Sequence, residues 1–184
     1  MRPAAILVLF AMLLALATGL SYFGYHYLTL ASQYRERNFL HLSHTDDALA
    51  QLRAHPAPRP ETARRIRDHV SNARQQADWC LRNLSNLELG AFVRLGAGQA
   101  LQVCRNDLAT ADAALALLTV LERNETITQT GSNSAFSLGL RTAEAVETMR
   151  DHSLEFRPQV AVIEKRLVRL VKTGTLGATV LIAG

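Results

Sequence analysis

The sequence is poor in the residues that build turns, sheets and nucleic-acid interfaces. Its 184 residues include ten Gly, five Pro and two Cys, and aromatic residues make up only 6%. No run alternates β-branched and polar residues, so β-strands are not expected. The long Pro-free stretches are rich in Ala, Leu, Arg, Glu and Gln, which favour helices because they lose little side-chain freedom there. We therefore predict an all-α fold.

The motifs of common catalytic sites are also missing. The chain has no Gly-rich phosphate loop and no GxSxG, HExxH or CxxC sequence. Its net charge of +4 is spread out and does not form the dense basic stripe with interleaved aromatics that nucleic-acid binding uses. We expect no enzyme activity within these residues, no cofactor and no nucleic-acid partner.

An apolar run close to the N-terminus predicts a transmembrane anchor over residues 1–31. Residues 4–31 contain no Asp, Glu, Lys or Arg, and a helix needs about 20 apolar residues to cross a bilayer. Tyr and Phe residues gather at 22–27, as is typical of the membrane–water interface. The alternative is a signal peptide cleaved after the small-x-small sequence at 15–17. We favour the anchor, because the uncharged run continues well past that point.

The charges on the two flanks of the anchor favour opposite orientations in the membrane. Arg2 and the terminal amine favour an N-terminus inside the cell, whereas Arg35 and Arg37 favour the opposite orientation. The very short N-terminal tail and the two cysteines favour a bundle outside the cytoplasm. We therefore expect a protein of the inner (cytoplasmic) membrane, with residues 32–171 facing the periplasm or the cell exterior.

The remainder of the chain is expected to form an antiparallel up-down four-helix bundle. The helices are predicted at about 32–54, 60–89, 99–123 and 134–171. The first continues from the anchor and stops at the HPAPRP segment, because Pro disfavours helix in itself and in the residue before it. Pro158 is expected to kink or interrupt the last helix. Short connections, predicted around 90–98 and 122–133, make sequential helices antiparallel.

Apolar residues on the predicted second and third helices repeat every three or four positions, as packed helical seams do. The second seam is Ile66, Val70, Ala73, Ala77, Cys80, Leu84 and Leu87. The third seam is Leu101, Cys104, Leu108, Ala111, Leu115 and Leu118. These faces are expected to form the core of the bundle.

The C-terminal residues are apolar and predict the start of a second transmembrane helix over 172–184. After Lys172 the chain has no charge, but the run is shorter than a membrane span. We expect the chain to be a fragment of a longer protein, in which the fourth helix returns to the membrane that the first one left. The alternative is a complete protein whose apolar C-terminal helix docks on its own bundle.

Cys80 and Cys104 are disulfide candidates. Each lies on the apolar seam of its helix, and both are twelve residues from a turn placed near Phe92, so they are expected to face each other. Outside the cytoplasm such a pair oxidises. The alternative is two buried, reduced thiols.

Three arginines of the second helix are candidates for a ligand site. Arg64, Arg67 and Arg74 fall near one face, and their guanidinium groups would hold a carboxylate or phosphate between helices. The alternative is solvation, or ion pairing with Asp68 and Asp78.

His41 and His44 are the remaining candidates, for a metal. They lie three residues apart and share a helix face, with acidic residues nearby at 46 and 47. No further ligand cluster is evident in the sequence. We therefore assign no metal and keep these two histidines as weak candidates, with a solvated polar face as the alternative.

The layout of anchor, bundle and second span resembles the extracytoplasmic four-helix-bundle input domain of bacterial transmembrane receptors. These receptors are chemoreceptors, sensor histidine kinases and diguanylate cyclases. The resemblance covers residues 1–184 as a pattern and includes no matched motif, so it assigns no ligand residue. It implies a homodimer in the lipid bilayer that binds a small ligand, such as an anion, or a periplasmic binding protein. It also implies a cytoplasmic output domain outside these residues.

A different class of protein has the same layout. A bitopic scaffold or assembly protein of the cell envelope would use its bundle to hold a protein partner. The continuation of the chain distinguishes the two, because a receptor requires a full second span and an output domain.

Overall fold

The computed structural model describes residues 3–89, 97–123 and 132–183, and the elements in these ranges are all helices. They are α1 (Pro3–Ala54), α2 (Pro60–Leu89), α3 (Gly98–Arg123) and α4 (Ser132–Ala183). The all-α prediction is confirmed. Most of the two predicted loops lies outside the described residues.

Helix α1 is 52 residues long and passes without a break from the apolar segment into the bundle. Its Leu7–Ala54 part is long and apolar enough to cross a membrane, with a mean hydropathy of 2.0 in its most apolar window. Only 6% of that window is buried within the protein, and Leu7 and Leu9 are 70% and 61% exposed. Among the described residues no other helix meets the same criterion.

The end of α1 and the start of α2 follow from the prolines between them. Pro56 and Pro58 lack the backbone N–H that would continue α1. Pro60 suits the first turn of α2, where an N–H has no partner within the helix, and Glu61 in that turn complements the helix dipole.

The four helices pack in cyclic order, with α1 against α2 and α4, and α3 against α2 and α4. Ion pairs show that α1 and α4 are antiparallel. Arg35 contacts Glu164 at 2.9 Å near the anchor, and Arg53 contacts Glu147 at 3.3 Å at the far end. The predicted bundle layout therefore agrees with the structure.

The interior of the bundle contains two separate apolar clusters. The near core, on the side of the anchor, includes Tyr34, Cys80, Leu84, Leu101, Cys104, Phe156 and Ile163. The far core includes Leu49, Leu52, Ile66, Val70, Ala111, Leu118, Val146 and Met149. All four helices contribute to both cores, so the bundle is stabilised by apolar burial at two levels along its axis.

Helix α4 also spans 52 residues, and it continues through Pro158. The helix is therefore not interrupted at this proline, and the predicted kink there stays a prediction. At the other end of α4, Gly139 approaches the connection between α1 and α2 so closely that a Cβ there would overlap the carbonyl oxygen of Pro56. The predicted second transmembrane segment over 172–184, and the division of the chain into anchor, bundle and second span, stay predictions.

Candidate functional site

Polar side chains separate the near core from the far core. On α1, His41 and Thr45 lie between Tyr34 of the near core and Leu49 of the far core. Asp107 occupies the same level on α3, and His152 and Ser153 occupy it on α4. We name His41, Asp107, His152, Ser153 and Asn38 the polar layer. Because burial of polar groups costs free energy unless they are paired, its contacts decide the stability of this level.

Asp107 is the centre of the polar layer, with only 4% of the residue exposed. Its Oδ2 lies 2.7 Å from Nε2 of His41 on α1. Its Oδ1 lies 3.7 Å from Nδ1 of His152 on α4. One carboxylate on α3 therefore contacts side chains from both of the long helices.

The contacts determine the charge of this group. Burial alone would raise the pKa of the Asp107 carboxyl, but the contacts with His152 and His41 outweigh burial and hold that pKa below its usual value. The same contact with Asp107 raises the pKa of His152 above its usual value, against the opposing effect of burial. Asp107 is thus a buried carboxylate at neutral pH, and its charge favours protonation of His152.

The polar layer is incompletely hydrogen-bonded. Oδ1 of Asp107, Nδ1 of His152 and Nδ1 of His41 are buried without a well-aligned hydrogen-bond partner among the described residues. A cavity of about 20 Å³ adjoins these groups, which is room for one water molecule. A partly satisfied buried network weakens a core, so this level is a weak point between two apolar clusters.

Contacts at the edge of the polar layer link α1 to its two neighbours. Nη1 of Arg37 donates a hydrogen bond to Oε1 of Gln76 on α2 at 2.9 Å. The Arg37 guanidinium also lies 5.1 Å from the centre of the Trp79 ring, a cation–π contact. On the other side, Oγ of Ser153 on α4 donates to Oδ1 of Asn38 at 2.8 Å.

The two cysteines lie beside the polar layer. Both belong to the near core, and both line the cavity next to Asp107, as expected for residues at the same level of neighbouring helices. They are free thiols in the structure. Burial raises the pKa of the Cys80 thiol to about 12 and raises that of Cys104 as well. The disulfide stays a prediction for the oxidised chain.

The structure gives two of the three candidate arginines carboxylate partners on α3. Arg67 contacts Glu122 at 2.7 Å and donates to the hydroxyl of Thr119 at 2.6 Å. Arg74 contacts Asp112 at 2.6 Å. These partners differ from Asp68 and Asp78, the pairs considered from the sequence. The contacts tie α2 to α3, so the anion site stays a prediction without support from this geometry.

Arg64, the third candidate, is exposed on α2. The structure does not bring it together with Arg67 and Arg74 around a common cavity, since none of the three lines the cavity at the polar layer.

His41 and His44 do not share a site, although they lie three residues apart. His41 contacts Asp107 on α3, whereas the ring of His44 lies 5.8 Å from that of His69 on α2. The structure therefore does not bring these two candidate residues together around one site.

The sequence contained one signal for Asp107 that the seam assignment missed. Cys104, Asp107 and Ala111 are spaced by three and four residues, so they continue a helical seam, and all three are buried. The seam drawn through Leu108 left the charged residue out, and Leu108 is only half-buried. Nothing in the local sequence indicates that His152, 45 positions further on, joins the same cluster.

Comparison with known proteins adds no assignment to this geometry. No family model matches the chain, and no curated protein or solved structure matches it with significant similarity. A functional proposal for the chain therefore depends on its sequence pattern and on the placement of the polar layer.

Proposed function

We propose that the chain is the input part of a transmembrane receptor, which relays a change of helix packing in the bundle along α1 and α4 to the membrane. One observation carries this proposal. Asp107 contacts His41 of α1 and His152 of α4, and these are the two helices that extend beyond the bundle on the side of the anchor. A change at this carboxylate acts on both of them.

The register of α1 against α4 supports a shared membrane end. The partner of Arg35 is Glu164, the partner of Asp46 is Arg150, and the partner of Arg53 is Glu147. Residue numbers on α4 thus fall as those on α1 rise. When this register is extended as two straight antiparallel helices with about 1.5 Å rise per residue, the last turns of α4 lie at the level of the apolar half of α1. The apolar residues after Lys172 then enter the bilayer that holds the anchor.

The relay works through two alternative packings of one bundle. A ligand or a partner protein that binds one packing better shifts the population towards it. The polar layer is where such a shift costs least, because its groups are incompletely paired, whereas the apolar clusters on either side resist rearrangement. Since α1 and α4 are continuous helices, a displacement of about 1–2 Å between them reaches the membrane.

Cysteine accessibility in native membranes tests the membrane end of α4. The native cysteines are replaced by Ser, and single cysteines are introduced as Lys172→Cys and Val180→Cys. We expect a membrane-impermeant maleimide to label the first and to spare the second until detergent is added, because Val180 would lie in lipid. Arg64→Cys, on the exposed surface of α2, is the positive control, and Leu14→Cys in the anchor is the negative control.

The same experiment separates the receptor from a scaffold. Labelling of Val180→Cys as fast as that of Arg64→Cys would show that α4 ends in water and that one helix alone holds the bundle. A tethered bundle without a second span has no route for a signal, and a scaffold that binds a protein partner in the envelope would then be the better proposal.

A further inference from the structure

A second cluster of titratable side chains joins α1 to α2. It contains His44 and Asp47, one turn apart on α1, and His69 on α2. One possible ligand atom from each residue lies within 4.8 Å of the other two. The His44 and His69 rings are 5.8 Å apart between centroids, and Oδ2 of Asp47 is 3.8 Å from Nδ1 of His69.

The protein makes little other use of these groups. Nδ1 of His44 and Nδ1 of His69 are buried and have no hydrogen-bond partner among the described residues. The 3.8 Å separation between Asp47 and His69 is too long for a hydrogen bond.

We propose that His44, Asp47 and His69 bind a divalent transition metal, with Zn²⁺ as the best match. Two imidazoles and one carboxylate suit zinc, and they leave a fourth position for water. Tetrahedral bonds of about 2.0–2.2 Å place ligand atoms roughly 3.3 Å apart, so the three side chains close in from their present spacing. Asp47, whose side chain is 57% exposed, has room to rotate inward.

The metal would act as a clamp between α1 and α2. The ligands come from two helices, so binding requires the folded bundle and stabilises it by mass action. The site uses neither His41 nor Asp107, and it does not depend on the receptor proposal.

Metal titration of the full chain in detergent micelles tests the site. Zn²⁺ binding is measured by calorimetry, and Co²⁺ is used as a spectroscopic probe of ligand type. We expect one metal per chain and a tetrahedral Co²⁺ spectrum without sulfur charge-transfer bands, because Cys80 and Cys104 belong to a different cluster. His44→Gln and His69→Gln are each expected to weaken binding about tenfold or more.

His55→Gln is the matched control, since His55 is an exposed histidine just past the end of α1. It should bind zinc like the wild type, and zinc should raise the Tm of both but not that of His69→Gln. Equal affinity in His69→Gln and His55→Gln would overturn the proposal, as would a cobalt–thiolate band. If circular dichroism shows that either His variant of the site is unfolded, Asp47→Asn replaces it, because Asp47 is the exposed ligand. The same loss of zinc affinity is expected for Asp47→Asn, and an unchanged affinity would contradict the site.

Discussion

Nε2 of His41 lies 2.7 Å from Oδ2 of Asp107 in the interior of the bundle, and the two side chains are 4% and 6% exposed. The contact joins α1 to α3 at the level where apolar packing stops. His152 of α4 approaches the other oxygen of the same carboxylate. The stability of this level therefore depends on one ionised group, which is an arrangement that single substitutions test well.

Replacement of Asp107 by Asn should destabilise the bundle. The substitution keeps the size of the side chain but removes the charge that His41 and His152 contact, and disruption of a buried pair costs about 3 kcal/mol. Asp112→Asn, on the same helix, is the matched control, because it removes only the contact with the half-exposed Arg74 and should cost about 1 kcal/mol or less. Urea unfolding followed by circular dichroism measures both. Equal losses would show that the Asp107 cluster contributes no more than a surface pair.

The pH dependence of stability should carry the signature of His152. Its pKa is raised in the folded state by contact with Asp107. The contribution of His152 to the stability of the bundle is therefore fully present at pH values below its usual pKa of 6.5. It is lost as the pH rises through the higher folded-state pKa. The lowered pKa of Asp107 acts in the opposite direction. The contribution of Asp107 to stability is present at pH values above its usual pKa of 3.8 and is lost as the pH falls through the lower folded-state pKa.

The measurement is the urea midpoint from acid to alkaline pH for the wild type and for His152→Gln. The wild type should lose stability relative to this variant as the pH rises above about 6.5. His44, whose lowered pKa gives the opposite slope, is present in both proteins and cancels in the difference. A difference between the two that stays constant through this range would contradict the contact between His152 and Asp107.

Gly139 is expected to tolerate no side chain. An added Cβ would overlap the carbonyl oxygen of Pro56, a backbone atom that moves only if the connection between α1 and α2 moves. Gly139→Ala should therefore destabilise the bundle by about 1–3 kcal/mol, as overpacking does, despite the better helix propensity of Ala. Gly19→Ala is the control, since a Cβ there meets nothing within 4 Å. A Tm for Gly139→Ala equal to or above that of Gly19→Ala would be inconsistent with the close approach.

The parts of this fold that the sequence predicts are those governed by local chemistry. The prolines between Ala54 and Glu61 separate α1 from α2 without help from the rest of the chain, and the heptad from Ile66 to Leu84 identifies the buried face of α2. Assignment of buried faces from apolar spacing treats a charged residue as a surface residue. It therefore failed for Asp107, which lies on a seam position only because two histidines from other helices compensate its burial.

Contacts between side chains of different helices cannot be predicted from local sequence patterns. His44 and His69 meet because α1 and α2 pack antiparallel in one register, and a one-turn slip would separate them. The partners of Arg67 and Arg74 on α3 depend on register in the same way. From the sequence, ion pairing was only an alternative for these arginines, and its partners were placed within α2, where spacing alone is informative.

The proposed relay requires that a change at Asp107 reaches the ends of α1 and α4 that we propose to lie at the membrane. Spin labels at Ser32→Cys and Lys165→Cys report this directly by pulsed electron resonance, because both positions are exposed and lie at a similar level near the anchor in the α1–α4 register. Native cysteines are replaced by Ser, and unchanged circular dichroism verifies that each variant is folded.

The distance between the labels should shift by about 1–2 Å, or its distribution should broaden, when Asp107→Asn is added. Addition of Asp112→Asn should leave it unchanged. Identical distance distributions in the parent and in both variants would contradict the proposed relay, because a change at the polar layer would then not move the anchor-side ends of the two long helices.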